Sequence, residues 1–215
     1  EEKLGASAET ILPLQEVPFD AQPIRAFVVG CVEKVSKDAI TALSQHSGYI
    51  DPASAEFGTP IFKTDEANPT DVEALTFAPG WHIPYWQYLA SPNREATSRF
   101  GQHAPSDSDV EKQLNLYVGK NLAACLDNFA SFTTQGFTIT PQAALIAKTS
   151  LTLTDVVVRV TLPLKIIKGP VSFELKEFIA RHDVALKQLL DFSKQLTNQL
   201  VQFHSFEQVI LFTLA

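Results

Sequence analysis

The chain has 215 residues, of which 45% are apolar and 19% charged, with a formal net charge of -7. That is enough apolar material for a buried core in one large domain or two small ones. An acidic chain lacks the basic footprint that nucleic acid and anionic membrane surfaces require, so no nucleic-acid partner is expected.

The acidity is uneven. Between Ser47 and Val110 nine acids stand against three bases, whereas from Glu111 onward eight acids face ten bases. No stretch reaches the roughly 18 consecutive apolar residues that a spanning helix needs. There is no methionine, the chain opens on Glu1, and it stops at Ala215 inside the apolar run VILFTLA. Both ends therefore read as cut from a longer protein, and any membrane anchor is expected outside this chain.

Residues 1–22, with Pro13 and Pro18 and no sustained period, read as a linker or tail; residues 23–204 read as a single ectodomain. Within it, Ile24, Phe27, Val28, Cys31, Val35, Ala39 and Leu43 recur every three or four positions, which predicts an amphipathic helix stopped near Gly48. Residues 49–106 are rich in Pro, Asp, Ser and Asn and predict a long irregular segment, with short strands near Ala74–Phe77 and Ile83–Tyr88.

A second helix follows in SDVEKQLNLYVGKNLAACLDNF. Ser108 and Glu111 offer a capping box, and Val110, Leu114, Tyr117, Val118, Leu122, Cys125 and Phe129 form one face. Cys31 and Cys125 are the only cysteines and lie on the core-facing stripes of the two helices. Their spacing excludes a C-x-x-C redox motif or a zinc ribbon, leaving buried thiols or one long-range disulfide. The disulfide is the expectation, because packing the two stripes together brings the sulfurs into reach.

The period then becomes two. In DVVVRVTLPLKII the even positions from Val156 to Ile166 are apolar; Leu145–Leu151 alternate before this run and Val171–Leu175 after it. The pattern predicts an antiparallel meander of three to four strands with one wet face, and Pro163 marks an edge or a bulge. A third helix is expected over about His182–His204, with Leu186, Leu189, Leu190, Phe192, Leu196, Leu200 and Phe203 facing inward. The predicted class is α+β, three amphipathic helices packed mainly on one face of the sheet, and residues 205–215 begin a further segment.

The chemistry-bearing motifs are sparse. His46, His82, His103, His182 and His204 show no metal-ligand spacing, so no metal site is expected. Asp183 in Arg181–His182–Asp183 reads as a helix cap. No nucleophile elbow, dinucleotide fingerprint, phosphate loop or calcium loop occurs, so no catalytic residues and no cofactor are expected. The acids of the middle segment, Asp51, Glu56, Asp65, Glu66, Asp71 and Glu73, read as a solvated loop. No N-glycosylation sequon occurs, since Asn68-Pro69-Thr70 carries the forbidden proline.

One stretch stands apart. FAPGWHIPYWQYLASPN, residues 77–93, holds Trp81, His82, Tyr85, Trp86 and Tyr88 within eight positions. A strand over Ile83–Tyr88 carries aromatics on both faces, whereas a ligand platform needs one exposed face. Two readings follow: an apolar anchor tying the long segment to the core, or a stacking surface for sugar or peptide. The first predicts a largely buried Trp86 and a more exposed Trp81.

The order of IRAFVVGCVEKVSKDAITALSQHSGYID, IPYW, DVEKQLNLYVGKNLAACLDNF, QGFTI and LPLKIIKG resembles a group of uncharacterised archaeal exported proteins from small-genome lineages. In that group a single N-terminal membrane helix with a pilin-like start precedes such a domain. The resemblance covers residues 22–181 and implies an anchored ectodomain outside the cytoplasmic membrane, with no implied catalysis. The leading expectation is thus a binding or structural domain at the cell surface, meeting a protein, a glycan or an envelope component. The alternatives are an envelope hydrolase using acids of residues 49–106 with His82 or His103, and a pilin-like assembly subunit.

Overall fold

The computed structural model describes residues 21–64, 67, 71–90, 99–203 and 211–213. The predicted tail, Asp65, Glu66, the Asn68-Pro69-Thr70 triplet, the Ser91-Pro92 turn and His204 lie outside the described residues, as does most of 205–215.

Helix α1 spans Gln22–Gln45, with a proline in its first turn, where no backbone N–H is needed. It buries Ile24, Val28, Cys31, Val32, Val35, Ala39, Ile40 and Leu43. Gly48 follows at φ +89°, and its N–H closes onto the Leu43 carbonyl at 2.9 Å. A Cβ at Gly48 would sit 2.6 Å from the Pro105 ring, so conformation and space both select glycine.

Two antiparallel hairpins follow: β1 (Ala74–Ala78) with β2 (Trp81–Pro84), and β3 (Gln87–Ala90) with β4 (Arg99–Gln102). The single strand expected over Ile83–Tyr88 is thus broken at Tyr85 and Trp86. Here the backbone turns to bond elsewhere: the Tyr85 N–H donates to the Glu73 carbonyl, and the Trp86 carbonyl accepts from the His103 N–H.

Helix α2 is Asp107–Leu126. Its capping box is Ser106 with Asp109, two residues earlier than expected. Glu111, assigned to the cap by the sequence pattern, instead reaches across to the sheet. A left-handed turn at Asp127, Asn128 and Phe129 (φ 42°, 47° and 57°) ends the helix before Phe129, and a short helix α3 (Ala130–Thr133) follows. Asp127 and Asn128 enter this region readily, whereas Phe129 there costs on the order of 1–2 kcal/mol. Burial of Phe129 and its edge contact with Phe27 hold the turn.

The sheet holds β5 (Thr138–Pro141), β6 (Ile146–Leu151), β7 (Val156–Lys168) and β8 (Val171–His182), all antiparallel. Strands β5 and β6 pair with successive halves of β7 and β8 with its other edge, an α+β meander three strands wide. Pro163 sits where β5 gives way to β6 and where the β7–β8 register shifts, so it marks a bulge.

Even-numbered residues of β7 from Val156 to Ile166 are buried beneath the helices, joined by Leu175, Phe178 and Ala180 of β8. Each fully buried side chain of this kind contributes roughly 1.5–3 kcal/mol. The opposite face is wet and carries the Arg159–Glu177 pair at 3.1 Å. Helix α2 also closes the free edge of β6: Asn115 accepts from the Thr149 N–H at 2.6 Å and Glu111 from the Leu151 N–H at 3.0 Å.

Cys31 and Cys125 are joined in a disulfide between α1 and α2, with Cα atoms 5.7 Å apart.

Helix α4, Leu186–Phe203, forms close to the expected span but turns the other way. Leu186 and Leu190 are buried as expected, yet Leu189, Phe192 and Leu196 are 57%, 63% and 47% exposed. Leu186 and Leu190 anchor its inward side, and ion pairs accompany them. Lys187 bonds Asp107, and Lys194 lies 3.8 Å from the same carboxylate at the start of α2. Asn198 accepts from the Gln87 side chain. The side of α4 that carries Leu186, Leu190 and the polar groups therefore faces the body, and the stripe of Leu189, Phe192 and Leu196 faces out.

Candidate functional site

The aromatic stretch is divided among three tasks. The Trp81 indole N–H donates to the Gln45 carbonyl at 3.1 Å, and the Trp86 indole N–H to the Ser47 carbonyl at 2.8 Å. Both tryptophans thus serve the C-terminal end of α1, where carbonyls lack intrahelical partners. Trp81 is 38% exposed and meets Phe77, 64% exposed, edge to face at 4.9 Å. Trp86 is half-buried and packs against the core.

Tyr88 belongs to a second, smaller cluster. Its hydroxyl lies 3.0 Å from Glu73 Oε1 and 2.9 Å from His103 Nε2, donating to the carboxylate and accepting from the imidazole. The His103 ring lies parallel to Tyr88 at 5.4 Å and takes the edge of Phe62 at 5.3 Å. Tyr49 donates its hydroxyl to the His103 carbonyl, and burial, with the Asp109 carboxylate adding to it, pushes its pKa up to about 12. His82 lies apart, its Nδ1 3.2 Å from the Thr76 hydroxyl, and Tyr85 is half-buried between the hairpins.

The groups that converge on open space are others. A cleft of about 270 Å³ lies between the second hairpin, the start of α2 and the inward side of α4. Its walls are Trp86, Gln87, Gln102, Ala104, Pro105, Ser106, Lys194, Thr197 and Asn198. Since the Trp86 N–H is already committed to Ser47, the indole offers the cleft its carbon framework. The hydroxyls of Ser106 and Thr197 donate to Asp109 and to the Ser193 carbonyl, so the three side-chain amides are the groups that offer both donors and acceptors. Lys194 is balanced by Asp107, so the cleft carries little net charge.

Of the five aromatic-stretch residues named from sequence, only Trp86 lines this cleft; Trp81, His82, Tyr85 and Tyr88 do not. Gln87, Gln102, Thr197 and Asn198 were missed. Isolated amides and hydroxyls carry no motif, and the wall of the cleft on α4 emerges only once Lys194, Thr197 and Asn198 are known to face inward.

A serine–histidine pair lies elsewhere. Ser36 Oγ is 2.6 Å from His182 Nε2, but it is fully buried in α1 and also 2.6 Å from the Val32 carbonyl. Its single hydrogen goes to that carbonyl, so His182 donates to it. This is a structural pair that leaves Ser36 no access to a substrate. Among the described residues no three His, Cys, Asp or Glu side chains are grouped to hold a metal ion, and no helix is long and apolar enough to cross a membrane.

Comparison of the chain with protein-family models, with curated proteins and with solved structures gave no match.

Proposed function

We propose that the chain is a binding domain displayed outside the cytoplasmic membrane, and that the cleft beside Trp86 takes a neutral, polyhydroxylated ligand, an oligosaccharide of the cell envelope. The observation that carries this reading is the wall of Trp86 facing Gln87, Gln102 and Asn198 with no unbalanced charge. Sugar rings present C–H faces that pack on an indole and hydroxyls that both donate and accept. Side-chain amides match the hydroxyls without demanding a charge. The extracytoplasmic location is supported by the disulfide, which persists in oxidising compartments, and agrees with the group that the sequence resembles.

The envelope-hydrolase alternative draws on one observation, the meeting of Glu73, Tyr88 and His103. None of the three lines the cleft; Tyr88 bridges Glu73 and His103, and His103 in turn meets Phe62 and Tyr49, which suits a latch better than an acid–base pair.

The test is titration with neutral oligosaccharides, followed by backbone and side-chain amide resonances. Binding should move the amide signals of Gln87, Gln102 and Asn198 and leave the sugar intact, and Asn198→Ala should weaken it. Release of shorter sugars, abolished by Glu73→Gln, would replace binding with hydrolysis. No shift with any sugar of the panel would sink the reading.

A further inference from the structure

Helix α4 leaves its most apolar face without a partner. From Leu189 the outward positions run Leu189, Phe192, Leu196 and Gln199, and the sequence continues the spacing to Phe203, with separations of three, four, three and four residues. That spacing is the narrow seam of a coiled coil and differs from the broad apolar face that a helix buries in a globular core. The helix also repeats at seven residues: Lys187-Gln188-Leu189 returns as Lys194-Gln195-Leu196 and, with valine for lysine, as Val201-Gln202-Phe203. In the sequence the three–four spacing goes on to Phe206 and Ile210.

We infer that this face pairs with the same face of a second copy of the chain, as a parallel, in-register, two-stranded coiled coil. Charge selects the occupant. The residues flanking the seam on one side are Gln188, Gln195 and Gln202, and on the other Ser193 and Leu200, none of them charged. Lys187, Asp191 and Lys194 lie on the opposite side, where both lysines meet Asp107. Two such seams meet without repulsion although each chain carries -7. A lipid surface would call for lysine or arginine beside the apolar stripe, and there is none.

Gln199 sets the direction. In a parallel, in-register pair it lies opposite its own copy, and the two amides bond each other. An antiparallel pair would set it against leucine or phenylalanine and bury an unpaired amide. The arrangement closes with two-fold symmetry, so it stops at a dimer. An 18-residue helix is about 27 Å long, which limits the contact and makes the dimer weak and concentration-dependent. The inward side of the same helix lines the cleft, so pairing would bring two clefts to the flanks of one helix pair.

Sedimentation of the full chain over a concentration series to about 1 mM reads the pairing directly. The wild type should pass from monomer to dimer. Phe192→Glu and Leu196→Glu should remain monomeric with unchanged melting, since both side chains are exposed. Gln199→Leu should tighten the dimer by about tenfold or more, because the seam loses its one polar position. Cys31 and Cys125 are bonded to each other, so Gln199→Cys introduces the sole free thiol and should cross-link two chains under mild oxidation. A monomer throughout, for both the wild type and Gln199→Leu, would overturn the inference. So would a dimer indifferent to Phe192→Glu, or a monomer that co-sediments with phosphatidylcholine vesicles through this face.

Discussion

The helix–sheet body and the hairpin region of residues 49–106 are held by different balances of burial and hydrogen bonding. In the body, α1 and α2 press apolar stripes onto the even face of β7, and one disulfide ties the two helices together. In the hairpin region Tyr49, Phe62 and Ala74 form a small cluster of their own, and only Ile50, Phe57 and the half-buried Trp86 reach the core of the body. Hydrogen bonds add to this limited attachment. The two indole N–H groups serve the end of α1, and Gln113, buried in α2, accepts from the Ile50 N–H at 2.8 Å and donates to the Gly48 carbonyl at 3.3 Å. A region held this way is expected to open locally while the body stays folded. The cleft lies on this boundary, with Trp86 and Gln87 from the weaker side.

The largest effect should come from the disulfide. Closing a loop of 94 residues constrains the unfolded chain by roughly 4–5 kcal/mol on the chain-entropy argument. Replacing Cys31 and Cys125 together by serine should lower the melting temperature of body and hairpins alike, because it acts on the global equilibrium. Calorimetry of the double variant checks this; a melt unchanged within a degree or two would show that the bridge adds nothing.

Trp86→Phe should instead separate the two regions. It keeps most of the ring and removes the bond to Ser47, a loss of about 1 kcal/mol. Hydrogen exchange should quicken at the amides of β3 and β4 and stay unchanged in β7 and β8. Equal acceleration everywhere would mean that the hairpins and the body unfold as one unit, and the contrast between them would fail.

How far each region was legible follows from the same contrast. The stripes of α1 and α2 and the alternation of β7 are written in residue types, because burial repeats with the geometry of the element. The hairpin attachments are single side chains reaching backbone groups, and such contacts leave no period to read. Helix α4 shows the limit of periodicity itself. Its apolar stripe was visible, but a stripe says that a face is apolar and not what it faces; the inward side holds Leu186 and Leu190 together with Lys187 and Lys194 on Asp107. The cap of α2 was ambiguous because Ser106 with Asp109 and Ser108 with Glu111 both fit the box. Glu111 was drawn to the Leu151 N–H, which no local pattern reveals. Asp127 and Asn128 are residue types that accept the left-handed region, but nothing in the residue types extends that turn to Phe129.

A smaller effect of opposite sign is expected inside the body. Thr149 Oγ1 is buried and has no hydrogen-bond partner. Thr149→Val keeps the shape, removes the unmatched hydroxyl and should stabilise by about 1 kcal/mol. Chemical denaturation measures it. The gain should appear in the exchange of β6 and β7 amides, and a destabilised variant would mean that the hydroxyl is satisfied in solution.

The smallest effect is a pH dependence that belongs to the body alone. His182, at the end of β8, has its pKa lowered chiefly by burial, with Lys37 acting in the same direction and Glu33 and Asp183 opposing. The unfolded chain binds the proton near the ordinary value of about 6.5, whereas the folded chain resists it. Below that value the unfolded state therefore holds more protons, and stability falls as pH drops. The contribution is complete above the unfolded pKa and is lost on acidification through and below it. Asp109, held low by its bonds with Ser106, acts in the same sense but only at more acid pH, so the two windows separate. The melting temperature should decline from pH 7 to pH 5, and His182→Gln, which keeps a donor for Ser36, should flatten that decline. Exchange at pH 5.5 should rise in β8 and the facing turn of α1, where His182 meets Ser36, more than in β3 and β4. A slope unchanged by His182→Gln would place the titration on another group and remove the last distinction drawn between the two regions.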